Sequence, residues 1–209
     1  YRVDLDPETD WQMFKECKQV CGDAVPLSFD ANSGYSEATA IRQGRRFESL
    51  GISHFEEPVM VDDYAGYAAV ADALDVPISA GEHEYTRFQF RELILRGKVD
   101  IIQPDIVKCG GFTEIRKIAA MGECNFLPLC PHNPIGAITN AATLQIAACT
   151  PNFHLLETMS NDVPYRHLLT TEKIEFKDGF MSIPDRPGLG IDINEEEVRK
   201  HPYQPHNLR

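Results

Sequence analysis

Residues 27–56 read LSFDANSGYSEATAIRQGRRFESLGISHFE: an apolar run ending in Asp30, a longer amphipathic stretch, and a second apolar run ending in Glu56. The two short runs, 27–29 and 52–55, have the length and character of buried strands. Residues 35–50 carry a helical pattern, with Ser36 placed to cap its start and Gly51 to end it. Strand, helix, strand in this order gives two parallel strands joined by a crossover. Four more apolar runs end in Glu82, Asp105, His132 and Glu157, and successive ends lie 23 to 27 residues apart. A βα unit has about this length. In a β/α barrel every strand delivers its last residue to one common face, where catalytic groups gather. The expected fold class is therefore α/β with a parallel sheet, as about six βα units of a TIM-type barrel.

Outward from this stretch the same rhythm holds. A helix is predicted over 7–20, closed by Gly22, and others over 64–74, 88–96, 112–122 and 138–149. They alternate with strands over 76–80, 99–103, 125–129 and 153–156. These strands are nearly continuous in apolar character, as expected where both faces of a sheet are covered. After Glu157 the rhythm stops. Residues 173–176 and 180–183 flank Lys177-Asp178-Gly179, which is hairpin chemistry, and a tail containing Pro and Gly follows. The expected division is 1–170 as a partial barrel and 171–209 as a C-terminal hairpin and tail packed on it. The chain opens Tyr1-Arg2-Val3-Asp4 with no initiator methionine. Six units cannot close an eight-stranded barrel, so two further strands are expected on the N-terminal side.

With 32 acidic and 20 basic residues among 209, the formal net charge is −12. Such a surface repels nucleic-acid phosphates and anionic lipid, so small molecules and metal cations are the expected partners. The apolar stretches fall short of the ~20 residues of a membrane helix, and the start shows no secretory pattern. A cytoplasmic protein is expected. The six cysteines include no C-x-x-C pair, so reduced thiols are expected, with Cys17 and Cys21 sharing one helix face. Gly110-Gly111 is not a nucleotide motif, because neither G-x-G-x-x-G nor a following Lys-Ser/Thr is present.

Asp30, Glu56 and Glu82 are three carboxylates on successive strand ends. Anions crowded together repel unless a cation lies between them. Oxygen donors with positions left for water and substrate suit Mg²⁺ better than Zn²⁺. The bland alternative is three unrelated solvated acids, and their register argues against it. Of Glu56 and Glu57 only one can point inward from a strand. Phase favours Glu56 and leaves Glu57 to support it.

Asp105 and His132 end the next two runs. A carboxylate beside an imidazole fixes its tautomer and favours its protonated form, making a general acid/base; a core histidine paired for satisfaction alone is the competing reading. Glu157 is either a proton-bearing hydrogen-bond donor to a developing oxyanion or an exposed structural acid. Asn32, His83 and Lys108 face the same mouth as candidate substrate contacts.

The motifs F-D-A-N at 29–32, F-E-E-P at 55–58, S-A-G-E-H at 79–83, I-Q-P-D-I-V-K-C-G-G at 102–111 and P-H-N-P at 131–134 resemble the enolase superfamily, and within it the mandelate racemase subgroup. P-H-N-P-I-G, A-A-C-T-P-N-F and N-D-V-P-Y-R at 161–166 look most like sugar-acid dehydratases of the galactonate dehydratase kind. The resemblance covers roughly residues 20–190. It implies a (β/α)₇β barrel with an N-terminal α+β capping domain, the cap and first strands not being in this chain, and a symmetric homo-oligomer. Further, it implies Asp30, Glu56 and Glu82 as Mg²⁺ ligands, Asp105 and His132 as a dyad, and Glu157 as the enolate-stabilising group. An upstream strand of such enzymes often supplies a lysine pair opposite the histidine. Where some galactonate dehydratases place a histidine two residues after the first metal ligand, this chain has Asn32. The implied activity is Mg²⁺-dependent dehydration of an aldonate or aldarate to a 2-keto-3-deoxy sugar acid through an enediolate. A racemase or epimerase acting on a 2-hydroxy acid by the same proton abstraction, and a noncatalytic barrel fragment, are the alternatives.

Overall fold

The computed structural model describes residues 6–159 and 163–202. The four opening residues, Asn161 and Asp162 of the 161–166 motif, and the tail from 203 onward lie outside them. Helix α1 (Pro7–Cys21) starts where Asp6 accepts a hydrogen bond from the Glu8 N–H, and it ends at Gly22, whose φ of 67° closes the last turn. Helix α2 (Glu37–Glu48) is capped by Ser36 as expected. It stops two residues early, and Gly51, at φ 71°, lies beyond it with its N–H on Glu48 O.

Strands β1 (Phe29–Asp30), β2 (Phe55–Glu56), β3 (Ile78–Ala80) and β4 (Ile101–Ile102) form a parallel sheet in sequence order. Crossover helices α3 (Tyr64–Ala73), α4 (Thr86–Leu95) and α5 (Gly111–Cys124) connect or follow them, and α6 (Ala137–Ala148) comes after. The fifth and sixth runs continue the sheet only as single parallel bridges, Ile102 to Leu129 and Leu129 to Phe153. This corrects the strands expected over 125–129 and 153–156. Asn125, Phe126 and Leu127 are consumed in closing α5, with Phe126 at φ 61° and the Leu127 N–H on Gly122 O. Pro128 and Pro131 have no N–H to donate on either side of Leu129. Among the described residues no ladder joins β1 to Phe153, so the sheet is open rather than a closed barrel.

The core beneath β1 and β2 is aromatic. Phe47 of α2 stacks on Phe29 of β1 at a centroid distance of 4.6 Å and meets Phe14 and Phe55 at 5.0 and 5.6 Å. All four rings are buried, which fixes how α1 and α2 sit on the first two strands.

The C-terminal hairpin is present but tighter than expected. β5 (Phe176–Lys177) pairs antiparallel with β6 (Phe180–Met181) across Asp178-Gly179, both at positive φ as a type I′ turn requires. The tail is not all loop: α7 (Glu195–Lys200) starts at Asn194, which caps the Glu197 N–H. Among the described residues no helix is long and apolar enough to cross a membrane, and all six cysteines are free.

Candidate active site

The parallel register sets Asp30 opposite Glu56 and Glu56 opposite Ser79, so the C-terminal ends of β1 to β3 share one edge. Glu82 follows β3 after Gly81, at φ 139°. A Cβ at Gly81 would come within 2.8 Å of the Phe90 ring and 3.0 Å of the Gln103 backbone nitrogen, so only glycine lets the chain turn here. Beyond β4, Asp105 is buried in a loop whose Cys109 N–H returns to the Asp105 carbonyl. His132 follows the Leu129 bridge and is buried too.

Each acid of the expected trio is turned to a protein partner. Asp30 accepts from the backbone and side-chain nitrogens of Asn32 at 2.8 and 2.7 Å. Glu56 accepts from the Gln103 side chain. Glu82 pairs with His132 Nε2, and the other ring nitrogen of His132 holds Asp105 at 2.7 Å. The strand ends are thus neighbours, yet the three sets of oxygens are not gathered around one point. Among the described residues, the group whose ligand atoms all lie within 4.8 Å of one another is Glu57, Glu82 and His83.

The electrostatics show the cost of the crowding. Burial and the nearby charges of Glu57 and Glu82 push Asp30 up to about 6, against the pull of the Asn32 N–H. Burial and the Asp30 charge push Glu56 up to about 8. Burial alone would raise Glu82, but hydrogen bonding to His132 and the charges of His132, Lys108 and His83 hold it below its ordinary value. Burial would likewise lower His132, and its bonds to Asp105 and Glu82 outweigh this and raise it to about 9. Two buried oxygens, Gln103 Oε1 and Ser79 Oγ, have no hydrogen-bond partner at this edge. A row of oxygen donors along one edge, two of its carboxyls raised chiefly by burial and by neighbouring acids, and two nearby oxygens without a hydrogen-bond partner, fits a hard divalent cation.

The remaining expected residues are close by. Lys108 is half-buried, its N–H on the Asp105 carbonyl. His83 is exposed, with Nδ1 3.0 Å from both Glu57 oxygens and 3.2 Å from Glu82. Asn32 is exposed, at φ 44°. Glu157 is exposed and accepts the Asn133 N–H at 3.0 Å. The sequence reasoning passed over Asn133, which is buried and whose side chain donates to Asn140 and to the Glu157 carbonyl. Its position directly after His132 in P-H-N-P was the available signal. Gln103 was read only as part of a motif, although its side chain reaches Glu56.

An open parallel sheet with acids at or just beyond the ends of its four strands, Asp30, Glu56, Glu82 and Asp105, and with His132 paired to Asp105, defines an α/β site of the enolase type. The family model described as enolase C-terminal domain-like matches residues 2–198, and the chain belongs to that family, in the mandelate racemase subgroup of the enolase superfamily. The chain is 37% identical to an arabinonate dehydratase of Saccharolobus solfataricus, over 90% of this chain and 50% of that protein. It is 34% identical to a D-galactarolactone cycloisomerase of Agrobacterium fabrum, over 94% and 54%. A mandelate racemase/muconate lactonizing enzyme structure from Sulfitobacter sp. superposes with a TM-score of 0.90 at 30% identity, over 99% of this chain and 52% of that one. The chain thus spans about half the length of the relatives it matches.

Proposed function

We propose that the protein dehydrates a sugar acid, an aldonate or aldarate, to a 2-keto-3-deoxy sugar acid. The observation that carries this reading is the Asp105–His132–Glu82 relay at the edge where Asp30 and Glu56 hold raised carboxyls. The dehydratases and the cycloisomerase among its relatives supply the substrate class.

Asp30, Glu56 and Glu82 would hold Mg²⁺, which supplies positive charge to offset the second negative charge that appears on the substrate carboxylate as its α-proton leaves. His132 is the base. Asp105 engages Nδ1 and leaves Nε2 for the substrate, and Nε2 now contacts Glu82. With Glu82 among the residues that would hold the cation, that nitrogen would be open to the substrate and the ring would lose one of the bonds that keep it protonated. His132 then takes the α-proton, leaving an enediolate, and returns a proton to the β-hydroxyl as the C–O bond breaks and water departs. The resulting enol tautomerises to the 2-keto acid. Glu157 serves the enediolate oxygen, and Asn32, His83 and Lys108 hold the polyol.

Screening the full-length protein against a library of acid sugars for 2-keto-3-deoxy products tests this. Turnover that stops on Mg²⁺ chelation is expected. Mg²⁺ binding without turnover of any member would end the dehydratase reading, and deuterium entering the α-position without loss of water would establish an epimerase instead.

A further inference from the structure

His132 lies where the sheet no longer holds its own backbone. A single bridge joins Leu129 to Phe153, with the His154 N–H on the Leu129 carbonyl. Beyond it comes Pro131-His132-Asn133-Pro134, and neither proline has an N–H to give to a ladder. Three other bonds tie this run to the last strand end, and all of them involve Glu157. The Glu157 N–H reaches the Pro131 carbonyl at 3.4 Å, and the Asn133 N–H reaches Glu157 Oε2 at 3.0 Å. The third comes from the Asn133 side chain, whose Nδ2 donates to the Glu157 carbonyl at 3.2 Å. Both residues flanking His132 are therefore bound to Glu157.

Asn133 is in turn fixed from behind. It is 1% exposed, and its partners Asn140 and Thr143, one turn apart on α6, are buried as well. Nδ2 also donates to Asn140 Oδ1, and the Thr143 hydroxyl donates to Asn133 Oδ1 at 3.3 Å. Chemistry sets the orientation of this amide. A main-chain carbonyl only accepts, so the nitrogen must face Glu157, and the oxygen is left for the hydroxyl. Pro134, directly after it, disfavours the helical region for the Asn133 backbone. Glu157 itself is exposed, so hydrogen bonds rather than burial must place its carboxylate.

We propose that Asn133 is a positioning residue: anchored on α6, it sets where the Glu157 carboxylate stands relative to the His132 ring, resting on the roles given above to those two groups. Asn133 touches no substrate and moves no proton. Its effect is geometric, and a displacement of about 1 Å in a catalytic group can cost about 10²-fold in rate.

In the full-length enzyme, Asn133→Ala is expected to lower kcat for a sugar acid about 10- to 100-fold and to leave KM within about threefold, since the amide does not serve substrate binding. The loss should not multiply with that of Glu157→Ala: once the carboxylate is gone, removing the amide should cost less than about threefold more. Losses that multiply, or a raised KM with kcat unchanged, would overturn the proposal. Should Asn133→Ala not fold, Thr143→Val deletes only the hydroxyl facing Asn133 Oδ1. It is expected to lower kcat about threefold, the order of one neutral hydrogen bond, and to have no further effect in the Glu157→Ala background; an unchanged kcat would overturn the proposal. Hydrogen exchange read by mass spectrometry needs no substrate. In either variant, peptides covering residues 131–136 and 154–158 should exchange at least about threefold faster, while one covering β2 keeps its rate. Unchanged exchange over both peptides would also overturn the proposal. If no sugar acid is turned over, the proposed function fails, while exchange still decides whether Asn133 holds these two strand ends together.

Discussion

The strand-end edge of the sheet and the C-terminal segment after residue 163 are built on opposite principles. At the edge, polar groups are buried and bound twice over: Asp105 is 1% exposed and Glu57 2%, and each is held by partners from other loops. Beneath them the Phe14, Phe29, Phe47 and Phe55 rings are packed and buried. The C-terminal segment leaves Phe176, Phe180, Ile183 and Ile193 each more than half exposed, and a two-residue ladder and a single bridge, Thr170 to Ile193, tie it together. The first region carries strained, charged groups because a dense core supports them. Among its described residues the second has no such buried ring cluster, and its charged pairs, such as Arg186 with Asp192 and Arg199 with Glu195, are exposed.

That contrast breaks most sharply through chemistry. Replacing His132 by Asn should lower kcat of the full-length enzyme by about 10²–10⁴-fold, measured with any sugar acid it turns over, while Phe180→Ala leaves kcat unchanged. Comparable losses from the two would place the reaction elsewhere. Stability separates the regions next. Phe47→Ala should cost about 3–5 kcal/mol in urea unfolding, whereas Phe180→Ala, at a position 79% exposed, should stay within about 0.5 kcal/mol.

A subtler difference appears on titration. Asp30 and Glu56 are raised in the folded chain, to about 6 and about 8, chiefly by burial. The folded state therefore binds more protons than the unfolded one between their ordinary values and about pH 8. These two groups lower stability as pH rises through that window. A cation that needs both ionised opposes this, so Mg²⁺ should raise Tm more near pH 8 than near pH 5, and calorimetry in two buffers at neutral pH should show proton release on binding. Equal stabilisation at both pH values would mean that these carboxyls are not its ligands. A modest effect belongs to the hairpin turn: Gly179→Ala, at φ 82°, should cost about 1 kcal/mol and leave Mg²⁺ affinity untouched.

Most of the edge was legible in the sequence because one period repeats. Asp30, Glu56, Glu82, Asp105 and His132 each close an apolar run, and the caps at Ser36 and Gly22 mark the adjoining helix ends. The last two strands were overread because the apolar letters around Leu129 and Phe153 hide Pro128, Pro131 and Pro151, which remove the N–H groups a longer ladder needs. Helix α7 was missed in a tail judged by its prolines and glycines, although Asn194 followed by Glu195, Glu196 and Glu197 and then by Arg199 and Lys200 matches a helix dipole end to end. Which acids approach one another within a few Å depends on side-chain rotamers and partners, such as Asn32 on Asp30, and no spacing rule carries that.

The central claim is that one cation joins three strand ends. Mn²⁺, which accepts the same oxygen donors as Mg²⁺, can be located by its anomalous scattering in crystals of the protein. The account predicts a single peak touching carboxylate oxygens of Asp30, Glu56 and Glu82 together. A peak held by Glu57, Glu82 and His83 without Asp30, or no peak at saturating Mn²⁺, would contradict it.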